Sequence, residues 1–256
     1  MRRFLFIRDI TLSLLIFFGS AVQAQPLTVA VASNMKPAFE EILRQFQRTH
    51  PQPLRIIYGS SGNLSSQIQQ GAPISLLISA DEVYPLRLFQ VGLTRDAGIV
   101  YALGHLALIA NATSGIQLSN DLQQLPMILA QSKKVAIANP ELAPYGKAAV
   151  QFLQSSNQWE QVRGRIVFGE NISIATTYVR SGAADLGFTA LSLAKSPELA
   201  NSIRYIVLPE NTHQPIKQRM VLMKNTDPIA VELYEYLQSS TAKMILQQYG
   251  YSIPSP

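Results

Sequence analysis

The chain has 256 residues, with 21 lysines and arginines against 16 aspartates and glutamates, three histidines and no cysteine. Its 47% hydrophobic content is that of an ordinary globular protein, which excludes general disorder, and the lack of cysteine excludes disulfides and thiolate metal centres. The formal charge of +5 is mild, and no cluster of lysine and arginine interleaved with aromatics points to nucleic acid.

Arg2, Arg3 and Arg8 precede an apolar run over residues 10–22, and Val22-Gln23-Ala24 closes it with the small-residue pattern of a signal-peptidase site. Residues 1–24 are therefore expected to be a signal peptide. The run is shorter than the ~20 residues of a membrane span, with retention as an anchor as the alternative. Its removal takes away Arg2, Arg3, Arg8 and Asp9, leaving a mildly basic exported chain that must rely on its core. The remaining length suffices for one large domain or two modest ones.

Residues 27–32 read as a buried strand. Ala38, Phe39, Ile42, Leu43 and Phe46 then recur at helical spacing until His50-Pro51 ends the helix. Residues 54–58 give the next strand, 64–70 a short helix and 74–79 a third strand, a βαβαβ order that implies a parallel sheet. Asp81 and Glu82 follow and read as a helix-start cap whose charge suits the helix dipole. Residues 99–103 and 105–110 are β-rich and separated by Gly104 alone. The alternation restarts with strand 135–138, a helix over about 146–154, strand 165–168, a helix over about 173–182 and strand 186–190. Residues 205–208 add a strand, 220–223 another after a polar, proline-containing loop, and 231–249 a final helix.

Two copies of one pattern suggest two similar lobes, 25–105 with 215–256 and 106–214. The chain would cross between them near Gly104 and again between Leu208 and Met220, the last helix packing back on the first lobe. One larger doubly wound domain is the alternative topology.

In open α/β sheets, ligands sit where strands turn into helices. Those turns carry Ser33-Asn34, Ser60-Ser61-Gly62-Asn63, Pro140 to Tyr145-Gly146, and Glu170-Asn171-Ile172-Ser173. Each junction alone has an ordinary reading as capping and turn chemistry. Four together, two from each half, could aim their unpaired N–H groups and partial positive charge at one anion in a cleft. Phosphate, sulfate and carboxylate fit that pattern equally. Neither a G-x-x-x-x-G-K-[ST] loop nor a G-x-G-x-x-G turn is present, which argues against nucleotides. His50, His105 and His213 lie outside the junctions, no G-x-S-x-G or H-E-x-x-H occurs, and Ser61 lacks a nearby base, so catalysis is a weak reading.

"LTVAVASNMKPAFEEILRQF", "YGSSGNLSSQIQQGAPISLLISADE", "VAIANPELAPYGKAAVQFL" and "DLGFTALSLA" together resemble the periplasmic molybdate-binding proteins of ABC transporters, the ModA family, in order over essentially the whole mature chain. The resemblance implies an α/β, two-lobed type II periplasmic binding-protein fold, closing over a tetrahedral oxyanion held by serine hydroxyls and main-chain amides. It implies that Ser33 and Ser61 contribute hydroxyls and that Tyr145 and Ile172 contribute N–H groups. Asn34, Ser60, Asn171 and Ala190 are additional candidates. Ala190 stands where some members carry a ligand tyrosine, a gap that Tyr145, Ser192 or water would fill. The expected ligand is molybdate or tungstate, the partner a membrane permease and the state a monomer, with no cofactor and no reaction. The junctions carry few carboxylates, Glu170 among them, which disfavours phosphate because its retained proton needs an acceptor. A receptor for sulfate or thiosulfate and an exported hydrolase using Ser61 are the alternatives.

Overall fold

A computed structural model describes residues 27–254; the predicted signal peptide lies outside the described residues. In chain order the strands are β1 Leu27–Ala32, β2 Leu54–Gly59, β3 Ile74–Ile78, β4 Ile99–Gly104, β5 Leu106–Asn111, β6 Val135–Ala138, β7 Ile166–Gly169, β8 Leu186–Ala190, β9 Ile203–Val207 and β10 Ile216–Leu222. The helices are α1 Lys36–Phe46, α2 Ser61–Gln69, α3 Val83–Gln90, α4 Leu125–Ala130, α5 Pro144–Ser155, α6 Trp159–Val162, α7 Ile172–Arg180, α8 Leu191–Ala194, α9 Pro228–Tyr236 and α10 Ser240–Gln248.

The strands form two separate five-stranded sheets, ordered β2-β1-β3-β10-β4 and β7-β6-β8-β5-β9. This excludes a single doubly wound sheet. β1 is buried from Thr28 onward, as a strand covered on both faces must be, and it pairs in parallel with β2 and β3. β6 plays the same part between β7 and β8. In each sheet one antiparallel strand occupies the fourth place, β10 in the first and β5 in the second. The chain passes from the first sheet to the second at His105 and returns through residues 208–215.

Phe39, Phe46 and Leu246 pack one face of the first sheet and Leu64, Leu77 and Leu88 the other. Phe152 and Phe188 lie at the heart of the second lobe, in an apolar cluster that reaches across to Ala32 and Ala80 of the first. The lobes therefore touch where β1 and β3 end.

The structure adds α4, α6 and α8, which the sequence reading did not include, and shifts the elements at the C-terminal end. The final helix is two helices, because the Ser239 hydroxyl accepts a hydrogen bond from Ala242 N at 3.2 Å and starts α10 afresh. α9 begins at Pro228, capped by Asp227, whose carboxylate accepts from Ile229 N at 2.9 Å. β10 begins at Ile216, four residues before the expected start at Met220, and includes a stretch that looks polar in the sequence.

Candidate functional site

Ser33, Asn34, Ser60 and Ser61 from the first sheet meet Tyr145 and Ile172 from the second around one small cavity, completed by alanine, glycine and proline. No lysine, arginine, histidine, aspartate or glutamate lines it. It is tight, with free space of about 10 Å³, roughly what one water molecule needs.

Caps and unpaired amides coexist at these junctions. Ser60 Oγ accepts from Asn63 N at 3.3 Å, and Asn171 Oδ1 accepts from Ser173 N at 3.0 Å and Ile174 N at 3.1 Å. These caps satisfy amides within the first turn and leave the first N–H of each helix, on Ser61 and Ile172, without an acceptor among the described residues. α5 opens on Pro144, which has no N–H, and has no side-chain cap; its first amide donor is Tyr145.

The hydroxyls are arranged as donors. Ser61 Oγ accepts from Ala80 N at 3.0 Å, so its own proton is free to turn elsewhere. Ser33 is buried, its carbonyl accepts from Ser173 Oγ at 3.1 Å, and its hydroxyl has no partner among the described residues. No histidine or carboxylate among the described residues bonds Ser61 Oγ, so the arrangement of a base-activated nucleophile is missing.

The lobes are in contact around this cavity. Gly62 N donates to Leu142 O at 2.9 Å, Asn63 Nδ2 to Glu170 Oε1 at 2.7 Å, Tyr84 Oη to Glu141 O at 2.9 Å, and Ser192 Oγ to Asn34 O at 2.8 Å. This is the closed arrangement of a cleft.

Six of the candidate residues line the cavity and two do not. Asn171 caps α7 behind it. Ala190 is buried at the end of β8, paired with Leu106, and is absent from the lining. The two side chains suggested as substitutes for the missing tyrosine hydroxyl both bond groups behind the cavity. The Tyr145 hydroxyl accepts from Gln218 Nε2 at 3.1 Å, and Ser192 Oγ is committed to Asn34 O. Glu170 is exposed and bonds Asn63.

Just outside the lining, burial pushes the Asp81 carboxyl up to about 6, opposed by hydrogen bonds from Ser79 and Tyr84 N and by the charges of Lys147 and Arg87. The sequence reading missed Tyr101, Gln218 and Tyr251: behind the cavity Asn34 Nδ2 donates to both Gln218 Oε1 and the Tyr251 hydroxyl, and the Tyr101 hydroxyl donates to Gln218 Oε1. The available signal was Gln218 itself, spaced by two between Ile216 and Met220 and so facing inward with them.

Two α/β lobes, joined by two crossings and closing over a ring of neutral donors, define a two-lobed solute-binding protein. Residues 27–252 match the model of the bacterial extracellular solute-binding proteins. The molybdate-binding protein ModA of Azotobacter vinelandii is 34% identical over 237 residues, 91% of this chain and 92% of that protein. ModA of Rhodobacter capsulatus is 30% identical, over 94% and 93%. The solved structure of the Azotobacter vinelandii periplasmic molybdate-binding protein superposes with a TM-score of 0.80 at 31% identity, covering 90% of this chain and all of that one. The chain belongs to the bacterial extracellular solute-binding protein family, in the group that holds the ModA proteins.

Proposed function

We propose that the chain is the periplasmic substrate-binding component of an ABC importer, capturing molybdate or tungstate between its lobes and delivering it to a membrane permease. Residues 1–24 are its signal peptide, 25–105 with 215–256 one lobe and 106–214 the other, and it acts as a monomer without catalysing a reaction. The Ser33 and Ser61 hydroxyls and the N–H groups of Tyr145 and Ile172 hold the oxyanion, with Asn34 and Ser60 beside them. One observation carries this reading: a cavity lined by donors and by no charged side chain.

A fully deprotonated oxyanion offers only acceptors and matches such a lining. Phosphate keeps a proton near neutral pH, and here that proton meets no carboxylate. Burying an unpaired dianion would be prohibitive, but each charge-assisted hydrogen bond contributes roughly 1.5 to 3 kcal/mol. Four helix ends add about 0.3 to 1 kcal/mol each. The opposing association cost is of the same order, about 4 to 15 kcal/mol, so affinity depends on how far the donors are held in place beforehand. Calorimetric titration with molybdate, tungstate, sulfate and phosphate tests the reading, and an absence of heat with both molybdate and tungstate would defeat it.

A further inference from the structure

Gln218 lies on β10 in the first lobe, fully buried directly behind the cavity. Its Oε1 accepts from Asn34 Nδ2 at 2.9 Å and from the Tyr101 hydroxyl at 2.9 Å. Its Nε2 donates to the Tyr145 hydroxyl at 3.1 Å. One amide therefore holds the residue after Ser33 in the first lobe and the side chain of Tyr145 in the second.

Asn34 is fixed from its other side as well. Its Nδ2 reaches the Tyr251 hydroxyl at 2.9 Å, and that hydroxyl lies 3.0 Å from Ser192 Oγ of the second lobe.

The backbone at the first crossing is shaped for this contact. A Cβ on Gly104 would overlap the Tyr145 hydroxyl and stand 2.5 Å from Gln218 Nε2. Glycine there lets the Gln218–Tyr145 pair sit against the chain at the point where it leaves the first lobe.

We propose that Gln218 is a positioning residue for the anion, a closure latch whose amide is satisfied only when the second lobe brings Tyr145 against Gly104. This rests on the oxyanion reading of the cavity. Gln218 touches no ligand. It acts by holding Asn34 beside Ser33 and by fixing the first turn of α5, which presents the Tyr145 N–H. Opening the lobes breaks the bond from Gln218 Nε2 to the Tyr145 hydroxyl, a loss that favours closing. The latch does not titrate in the physiological range: burial pushes the Tyr251 hydroxyl up to about 12 and those of Tyr101 and Tyr145 well above their ordinary range.

The chain has no cysteine, so spin labels can be placed on cysteines introduced at exposed Gln67 of α2 and Gln154 of α5. Distance distributions are measured with and without molybdate, and molybdate release is timed by stopped flow. Tyr145→Phe keeps the backbone N–H and removes only the latch hydroxyl; Gln218→Met removes the amide. Both variants shift the ligand-free distribution toward longer distances and speed release about three- to tenfold, as expected for one lost hydrogen bond. The ligand-free Tm of Tyr145→Phe stays near that of the parent protein, while the rise in Tm on adding molybdate shrinks.

Distances and release rates equal to the parent's in Tyr145→Phe overturn the latch, whether or not Gln218→Met folds. So does a ligand-free Tm lowered as much as the liganded one, which marks mere packing. Failure of the oxyanion reading looks different: the parent protein itself shows no response to molybdate or tungstate. The ligand-free distances then still decide the latch.

Discussion

The hydroxyl oxygen of Ser61, at the start of α2, accepts the backbone amide of Ala80, just beyond β3, at 3.0 Å. That bond occupies an acceptor lone pair of Ser61 and leaves its hydroxyl proton free to donate. Ser61→Ala removes one bond to a charged guest and leaves the Ala80 amide unpaired. Oxyanion binding is expected to weaken by about 1 to 3 kcal/mol. Calorimetry checks this, and an unchanged affinity removes Ser61 from the site.

Gly62 sits where the lobes close. A Cβ there would lie 2.8 Å from the Tyr84 hydroxyl and 3.0 Å from Leu142 Cα. Alanine suits a helix better than glycine, so Gly62→Ala should leave the ligand-free protein as stable or slightly more so. Overpacking of this order costs about 1 to 3 kcal/mol; the Tyr84 hydroxyl shares the first lobe and ends a side chain that can swing aside, whereas the Leu142 backbone comes from the second lobe and meets the new methyl only on closing. Affinity for the anion should therefore fall about tenfold or more while the ligand-free Tm holds, a split that thermal melts with and without molybdate read directly.

Asp81 gives the molecule a pH dependence of defined sign. Its carboxyl is pushed up to about 6 in the fold, above its ordinary 3.8, because burial disfavours the charged form. Below pH ~4 the group is protonated in both folded and unfolded chains and contributes nothing. As pH rises toward about 6 the unfolded chain releases its proton first, so stability falls, and the loss is complete above that range. Asn retains an oxygen to accept from Ser79 Oγ and Tyr84 N. Asp81→Asn should accordingly be the more stable protein at pH 7, by up to about 3 kcal/mol, with the difference vanishing near pH 4. Denaturant melts across that range test it; a constant difference at every pH contradicts it.

Glu170 places a carboxylate across the cleft mouth from Asn63 in an exposed hydrogen bond of 2.7 Å. Exposed pairs of this kind are worth about 0 to 1 kcal/mol. Glu170→Gln keeps an acceptor for Asn63 and removes a negative charge near the path of an incoming dianion. The association rate should rise a few-fold at low salt and converge on the parent value as salt screens the charge. Stopped-flow rates at two ionic strengths decide this.

The two-sheet architecture was legible because β6 is wholly apolar, β1 and β2 are broken only by Thr28 and Arg55, and Pro37, Ser60 and Pro144 mark the starts of the helices that follow. The residues that line the cavity were legible too, since Ser33, Ser61, Tyr145 and Ile172 all sit where strands turn into helices. Ala190 and Asn171 share those junctions but stand outside the lining, a distinction that depends on the direction of side chains. Gln218 was hidden for a stronger reason. Lys217, Gln218 and Arg219 read as a polar loop, yet Gln218 is buried because its amide finds partners at Asn34, Tyr101 and Tyr145, all remote in the chain. Local pattern carries no record of partners that only the tertiary fold supplies.

The central claim is that neutral donors alone hold a fully deprotonated oxyanion. Its most direct test is a set of calorimetric titrations with molybdate, tungstate, sulfate and phosphate at pH 7. Tight one-to-one binding of molybdate and tungstate, with phosphate bound far more weakly, is the predicted result. Phosphate bound as tightly as molybdate, or no heat from either metal oxyanion, would contradict it.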